Sequence, residues 1–144
     1  MTPTSRSMQL LRRAGYLVDR CEQWNAFSQT RKDLLGVGDL LALTVGEPPL
    51  LVQSTTVSNV SARIAKCRES QALALWLGTG CRFVVHGWSL VNGRWHCKIV
   101  ELSGADMAAD VLSRPPRRGR KTESGDLFTP RLHEPPTDDP RPAA

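Results

Sequence analysis

Glu22, Asp39, Gln53 and Thr55 are the residues of this sequence whose types could do chemistry together. Two carboxylates and an amide oxygen make a hard-oxygen set of the kind Mg²⁺ prefers. A cation held this way can activate water and stabilise the charge of a phosphodiester transition state. Asn59, Arg63 and Lys66 follow closely, and a cationic side chain among them could add charge stabilisation.

The elements must bring these residues together. Glu22 lies near the end of YLVDRCEQW (16–24), which alternates partly and predicts a strand. Asp39 opens DLLALTV (39–45), and Gln53 and Thr55 close LLVQST (50–55), two further strands. Gly46-Glu47-Pro48-Pro49 between them is turn chemistry, so these two strands should be antiparallel neighbours. In an antiparallel meander the end of strand one, the start of strand two and the end of strand three share one edge. Gln53 and Thr55 are two apart and share a face, and Asp39 must point to that face for the set to assemble.

Around this meander the pattern predicts a helix over 4–14 and a polar loop over 25–38. Val57, Val60, Ile64 and Cys67 form a helical stripe, with Thr56 or Ser58 placed as the N-cap. Residues 71–77 continue as a second helical stretch. CRFVVHGW (81–88) and RWHCKIVEL (94–102) are strands joined at Asn92-Gly93, a strong hairpin signal. The order αβββαββ gives an α/β fold with a mixed sheet.

The chain has 144 residues, enough for one domain of ordinary size. Its net charge of +5 lies wholly in residues 1–102, and residues 103–144 balance to zero. A basic folded part is compatible with a polyanionic partner. Seven of the ten prolines follow residue 114, which predicts a domain over 1–102 and a Pro-rich, disordered tail over 103–144. Within that tail 103–112 reads as a short helix. No apolar run reaches the roughly 20 residues of a membrane span, and the N-terminus does not read as a secretory signal. Four cysteines without a C-x-x-C pair point to a reducing, cytoplasmic setting.

Three stretches together carry a resemblance: RKDLLGVGDLLAL (31–43), LVQSTTVSNVSARIAK (51–66) and WLGTGCRFVVHGW (76–88). As a set they resemble the small PD-(D/E)XK-type nucleases of bacteria and phages, related to Holliday-junction resolvases. The resemblance covers about residues 5–102. It implies a restriction-endonuclease-like core, Mg²⁺ (or Mn²⁺) dependence, DNA as substrate and a homodimer. It matches Asp39 to the family's metal aspartate and Gln53-Ser54-Thr55 to its (D/E)-x-K tripeptide. Gln offers only a neutral oxygen, and Thr has no ammonium. Lys66 or Arg63 would then supply that charge from the next helix. Residues 4–14 hold no acid, which leaves Glu22 as the substitute for a helical carboxylate.

The roles that follow are Asp39, Gln53, Thr55 and Lys66 in catalysis, Glu22, Asp39 and Gln53 on the metal, and Arg31, Lys32, Asn59, Arg63 and Lys66 on nucleic acid. Asp33 competes with Asp39: it could be a second metal ligand, or a loop carboxylate paired with Arg31 or Arg63, and the pairing is the favoured role. His86 is read as a structural hydrogen-bonding residue, with general base as the other role. Trp24, Trp76, Trp88 and Trp95 are read as core or rim packing. Cys81, His86, His96 and Cys97 make a poor zinc set, because adjacent His96 and Cys97 point to opposite faces of a strand. A second reading is a catalytically degenerate nuclease fold that binds DNA or protein without cutting, supported by the Gln-x-Thr replacement. A third is a small protein–protein adaptor.

Overall fold

The computed structural model describes residues 1–115. Helix α1 (Pro3–Arg13) starts where Thr2 Oγ1 accepts the Ser5 N–H at 3.2 Å, and Pro3 supplies a preset first-turn geometry. It stops at Gly15, whose φ of +92° suits the reversal into the first strand. Strands β1 (Leu17–Arg20), β4 (Leu40–Leu43), β5 (Leu50–Thr56), β6 (Arg82–Val91) and β7 (Arg94–Leu102) form one sheet in the order β1-β4-β5-β6-β7. A second, two-stranded ribbon joins β2 (Gln23–Asn25) to β3 (Thr30–Lys32).

All neighbours in the large sheet are antiparallel except β5 and β6. That parallel pair is joined by α2 (Val60–Arg68) and α3 (Gln71–Gly78), a crossover of the kind parallel strands require. The two helical layers lie on opposite faces. Even-numbered Leu50, Val52, Leu40 and Ala42 pack with Leu11 of α1. Odd-numbered Leu51, Phe83 and Val85 pack with Val60, Cys67 and Leu73 of α2 and α3. With both faces covered, residues 50–55 of β5 are all buried, which explains its near-continuous apolar run. At Gly87 a Cβ would lie 2.3 Å from Val60 Cγ2 and 3.2 Å from Val57 Cα, so glycine lets the crossover seat against β6.

The α/β class, the antiparallel 39–45/50–55 pair and the Asn92-Gly93 hairpin match the sequence reading. Three features differ. The run 16–24 is not one strand: it leaves the sheet after Arg20 and resumes as β2. The region 25–38 is not a plain loop, because Thr30–Lys32 pairs back on Gln23–Asn25. Residues 103–112 form no α-helix but two 3₁₀ turns, Gly104–Asp106 and Val111–Ser113. Met107 and Val111 are buried in the α2/α3 core, and the Ala108 N–H donates to the Arg68 carbonyl at 3.0 Å. Packed structure therefore runs past residue 102, and Met1–Arg114 forms one compact unit. The rest of the expected tail, from 116 on, lies outside the described residues.

Candidate metal centre

Cross-strand register assembles the site. In the β4–β5 ladder Leu40 faces Val52, so the next pair is Asp39 and Gln53. In the β2–β3 ladder Gln23 faces Lys32, so the next pair outward is Glu22 and Asp33. The bridge between Leu34 and Gly38 makes Asp33 and Asp39 the next pair beyond it. Glu22, Asp33, Asp39 and Gln53 are thus successive register partners, and directly opposed residues hold their Cβ atoms roughly 5 Å apart on one face. One ligand oxygen from each of Glu22, Asp33 and Asp39 lies within 4.8 Å of the other two.

The local sequence explains the turn that makes this possible. Leu35 and Gly36 both have positive φ (56° and 74°), which reverses the chain between Leu34 and Val37. Gly38 then lies against the side chain of Leu51. A Cβ there would sit 2.2 Å from Leu51 Cδ1, so only glycine lets Asp39 enter β4 so close to the core.

Asp39 is buried, and Glu22 and Asp33 are half-buried. Asp39 Oδ2 accepts from the Ser54 N–H at 2.9 Å and from Gln53 Nε2 at 3.1 Å. Burial, reinforced by the nearby charges of Asp33 and Glu22, pushes the Asp39 carboxyl up to about 7 despite the Ser54 hydrogen bond. Three opposed carboxylates repel one another, and a divalent cation is the group that would turn that repulsion into binding. The donors are all hard oxygens, so the set fits Mg²⁺ or Mn²⁺ better than a soft metal.

Of the sequence-predicted residues, the structure brings Glu22, Asp39 and Gln53 together. Gln53 presents its amide nitrogen to Asp39, so its oxygen would have to turn over to become a ligand. Thr55 lies buried two residues further along the same face and makes no side-chain hydrogen bond to the cluster. Lys66 is exposed and Arg63 half-exposed on α2, and neither forms an ion pair or hydrogen bond with the acids among the described residues. Asn59 is exposed just before α2, and Lys32 is exposed at the end of β3. Arg31 pairs with Glu22 at 3.5 Å. Thr56 caps no backbone group; its hydroxyl pairs with that of Ser58 at 3.0 Å.

The favoured reading of Asp33, a paired loop carboxylate, needs correction, and its alternative as a second metal ligand agrees with the cluster. Asp33 faces Glu22 and Asp39 instead of pairing with Arg31 or Arg63. The signal was present in the Asp33-to-Asp39 segment, where two glycines, Gly36 and Gly38, among the five residues between the acids allow a tight reversal. Comparison with protein-family models, curated proteins and solved structures finds no match to this chain.

His86 lies on the other face of the sheet, away from the acids. Its Nδ1 is 3.0 Å from Ser7 Oγ, which also accepts from Trp88 Nε1 at 2.9 Å and from Ser54 Oγ at 2.8 Å. A hydroxyl has one proton, so with two donors already on its oxygen Ser7 donates to His86 Nδ1. His86 is therefore neutral with its proton on Nε2. Burial pushes its pKa down to about 4. Ser7, fully buried on α1, was not legible as the centre of this network. Trp88 is core, whereas Trp24 is 62% exposed.

Proposed function

We propose that this chain is a divalent-metal-dependent nuclease that hydrolyses phosphodiester bonds of DNA. The observation that carries the reading is the convergence of Glu22, Asp33 and Asp39 within 4.8 Å at one edge of a mixed sheet flanked by helices on both faces. Such a sheet, with a meander leading into a crossover helix, agrees with the PD-(D/E)XK resemblance of residues 31–88. In this reading Glu22, Asp33 and Asp39 hold Mg²⁺ or Mn²⁺, with Gln53 fixing Asp39. The bound cation would supply Lewis-acid stabilisation of the scissile phosphate. Arg31 and Lys32, on the ribbon beside the acids, would hold flanking phosphates. Asn59, Arg63 and Lys66 would extend that contact along α2, and Thr55 would orient water or phosphate.

One observation favours a second reading. Thr55 stands where the resemblance places a lysine, and no ammonium pairs with the acids among the described residues. A degenerate nuclease fold that binds DNA without cutting has this composition. Cleavage assays on branched, duplex and single-stranded DNA with each metal separate the two. The nuclease reading expects metal-dependent cutting of at least one substrate, abolished by Asp39→Asn with DNA affinity kept. Binding without cutting under every condition would leave the degenerate fold.

A further inference from the structure

The β2–β3 ribbon is placed and equipped unlike the other described elements. Its first strand begins at Gln23, the residue after Glu22, and its second ends at Lys32, the residue before Asp33. It therefore grows directly from two of the three cluster carboxylates. Among the described residues it pairs with no other strand. At its tip the Asn25 side chain accepts the N–H groups of Phe27 at 2.9 Å and Ser28 at 3.4 Å, and the Ser28 and Thr30 hydroxyls are 2.6 Å apart. These bonds shape a turn that leaves Phe27 fully exposed. Trp24 is 62% exposed and lies opposite Arg31, so indole and guanidinium share one face of the ribbon. Residues 23–32 contain two cations and no acid.

Aromatic side chains held out to solvent beside cations, with no acid among them, match one chemistry closely. Unpaired bases stack on the rings while their phosphates meet Arg31, and Lys32 on the opposite face adds positive charge to the ribbon. Duplex DNA hides its base faces and gains little from exposed rings. We propose that the β2–β3 ribbon is a single-strand-binding arm that seats unpaired nucleotides of DNA, through Trp24 and Phe27, next to the acidic cluster. The assignment rests on the nuclease reading for its purpose, but the stacking of bases on Trp24 and Phe27 needs no metal. Arg31 couples the two: it now pairs with Glu22, and a cation taking Glu22 frees the guanidinium for phosphate.

The test uses the full chain in EDTA, with fluorescein-labelled oligothymidylate of fifteen nucleotides and a duplex of the same length, read by anisotropy at low salt. Wild type is expected to prefer the single strand. Trp24→Ala and Phe27→Ala should each weaken single-strand binding about 5- to 150-fold, the range for loss of one stacked base, and leave duplex binding unchanged. Trp24→Phe should restore most of the loss. Both aromatic side chains are exposed, and equal melting temperatures would show that the variants fold. Variants that bind like wild type, equal losses on duplex and single strand, or no wild-type binding would each overturn the arm; the first would leave the aromatics to a protein partner. Because EDTA removes metal, loss of the arm with intact metal-dependent cutting would spare the nuclease reading. An active arm without cutting would do the reverse.

Discussion

Asp39 and His86 are both buried, yet they respond to pH in opposite directions. The folded pKa of Asp39 is raised to about 7, so between about 4 and 7 the native state binds more protons than the unfolded chain. Without metal, its contribution to stability is present at low pH and is lost as pH rises through 7. His86 is lowered to about 4, so the unfolded chain binds more protons between about 4 and 6.5. Its contribution is lost as pH falls through that window. The two offset each other below about 6.5. Asp39→Asn removes the first effect: urea unfolding should show a variant that gains stability from pH 4 to 6.5 and then exceeds metal-free wild type at pH 8. A variant that tracks wild type across this range would show that Asp39 ionises normally. On the same scale, Ser7→Ala strips a partner from Trp88 Nε1, the Ser54 hydroxyl and His86 Nδ1. Buried groups left unpaired cost about 1–3 kcal/mol each before relaxation. A loss of about 3 kcal/mol in urea unfolding is expected, and a change below about 0.5 kcal/mol would contradict the network.

The strands and crossover helices owe their positions to patterns visible in the sequence, and the ribbon does not. DLLALTV and LLVQST are apolar enough to be central, and the two residues between Val91 and Arg94 are Asn-Gly, so this part of the sheet was legible. QWN and TRK have no alternation to mark them, and their pairing depends on a turn shaped by the Asn25 side chain. Reading 25–38 as a loop left Asp33 undecided between metal ligand and ion-pair partner, because the Glu22–Asp33 register exists only if the ribbon does. Asp39 and Gln53 were found because their strands were found. Met107 and Val111 were missed for a related reason: single apolar residues in a polar stretch carry no periodicity, and their burial is decided by α2 and α3. The element that ties site to core is the Leu34–Gly38 turn. Gly38→Ala forces a Cβ into Leu51, whose side chain is fully buried, so the turn and Asp39 must shift. Overpacking of this kind costs about 1–3 kcal/mol. Lowered melting temperature together with weakened metal binding is expected, and normal values for both would mean that Leu51 moves aside freely.

For the whole molecule, charge and core divide the chain differently. The excess of positive charge lies in residues 1–102, but the α2/α3 core includes residues up to Val111. Arg114 closes this region, bonded to Asp110 at 2.8 Å and ion-paired with Glu69, and its carbonyl accepts from Gln71 Nε2 at 3.0 Å. A chain ending at 115 should melt within a few degrees of the full chain. One ending at 102 should lose the burial of Met107 and Val111, about 1.5–3 kcal/mol for each side chain, and unfold at lower urea. Equal stability of the two truncations would show that these side chains add little to the core. Among the described residues no helix is long and apolar enough to cross a membrane. If the proposed DNA binding uses the basic residues, the logarithm of its affinity should fall linearly with the logarithm of salt concentration.

The central claim is that Glu22, Asp33 and Asp39 together hold one divalent cation, and titration calorimetry with Mn²⁺ tests it most directly. A carboxyl that titrates near pH 7 must give up its proton to bind metal, so affinity should rise between pH 6 and pH 8 with proton release. One site per chain is expected, abolished by Asp39→Asn and strongly weakened by Asp33→Asn. No heat of binding at pH 8, or binding unchanged in Asp39→Asn, would contradict the account.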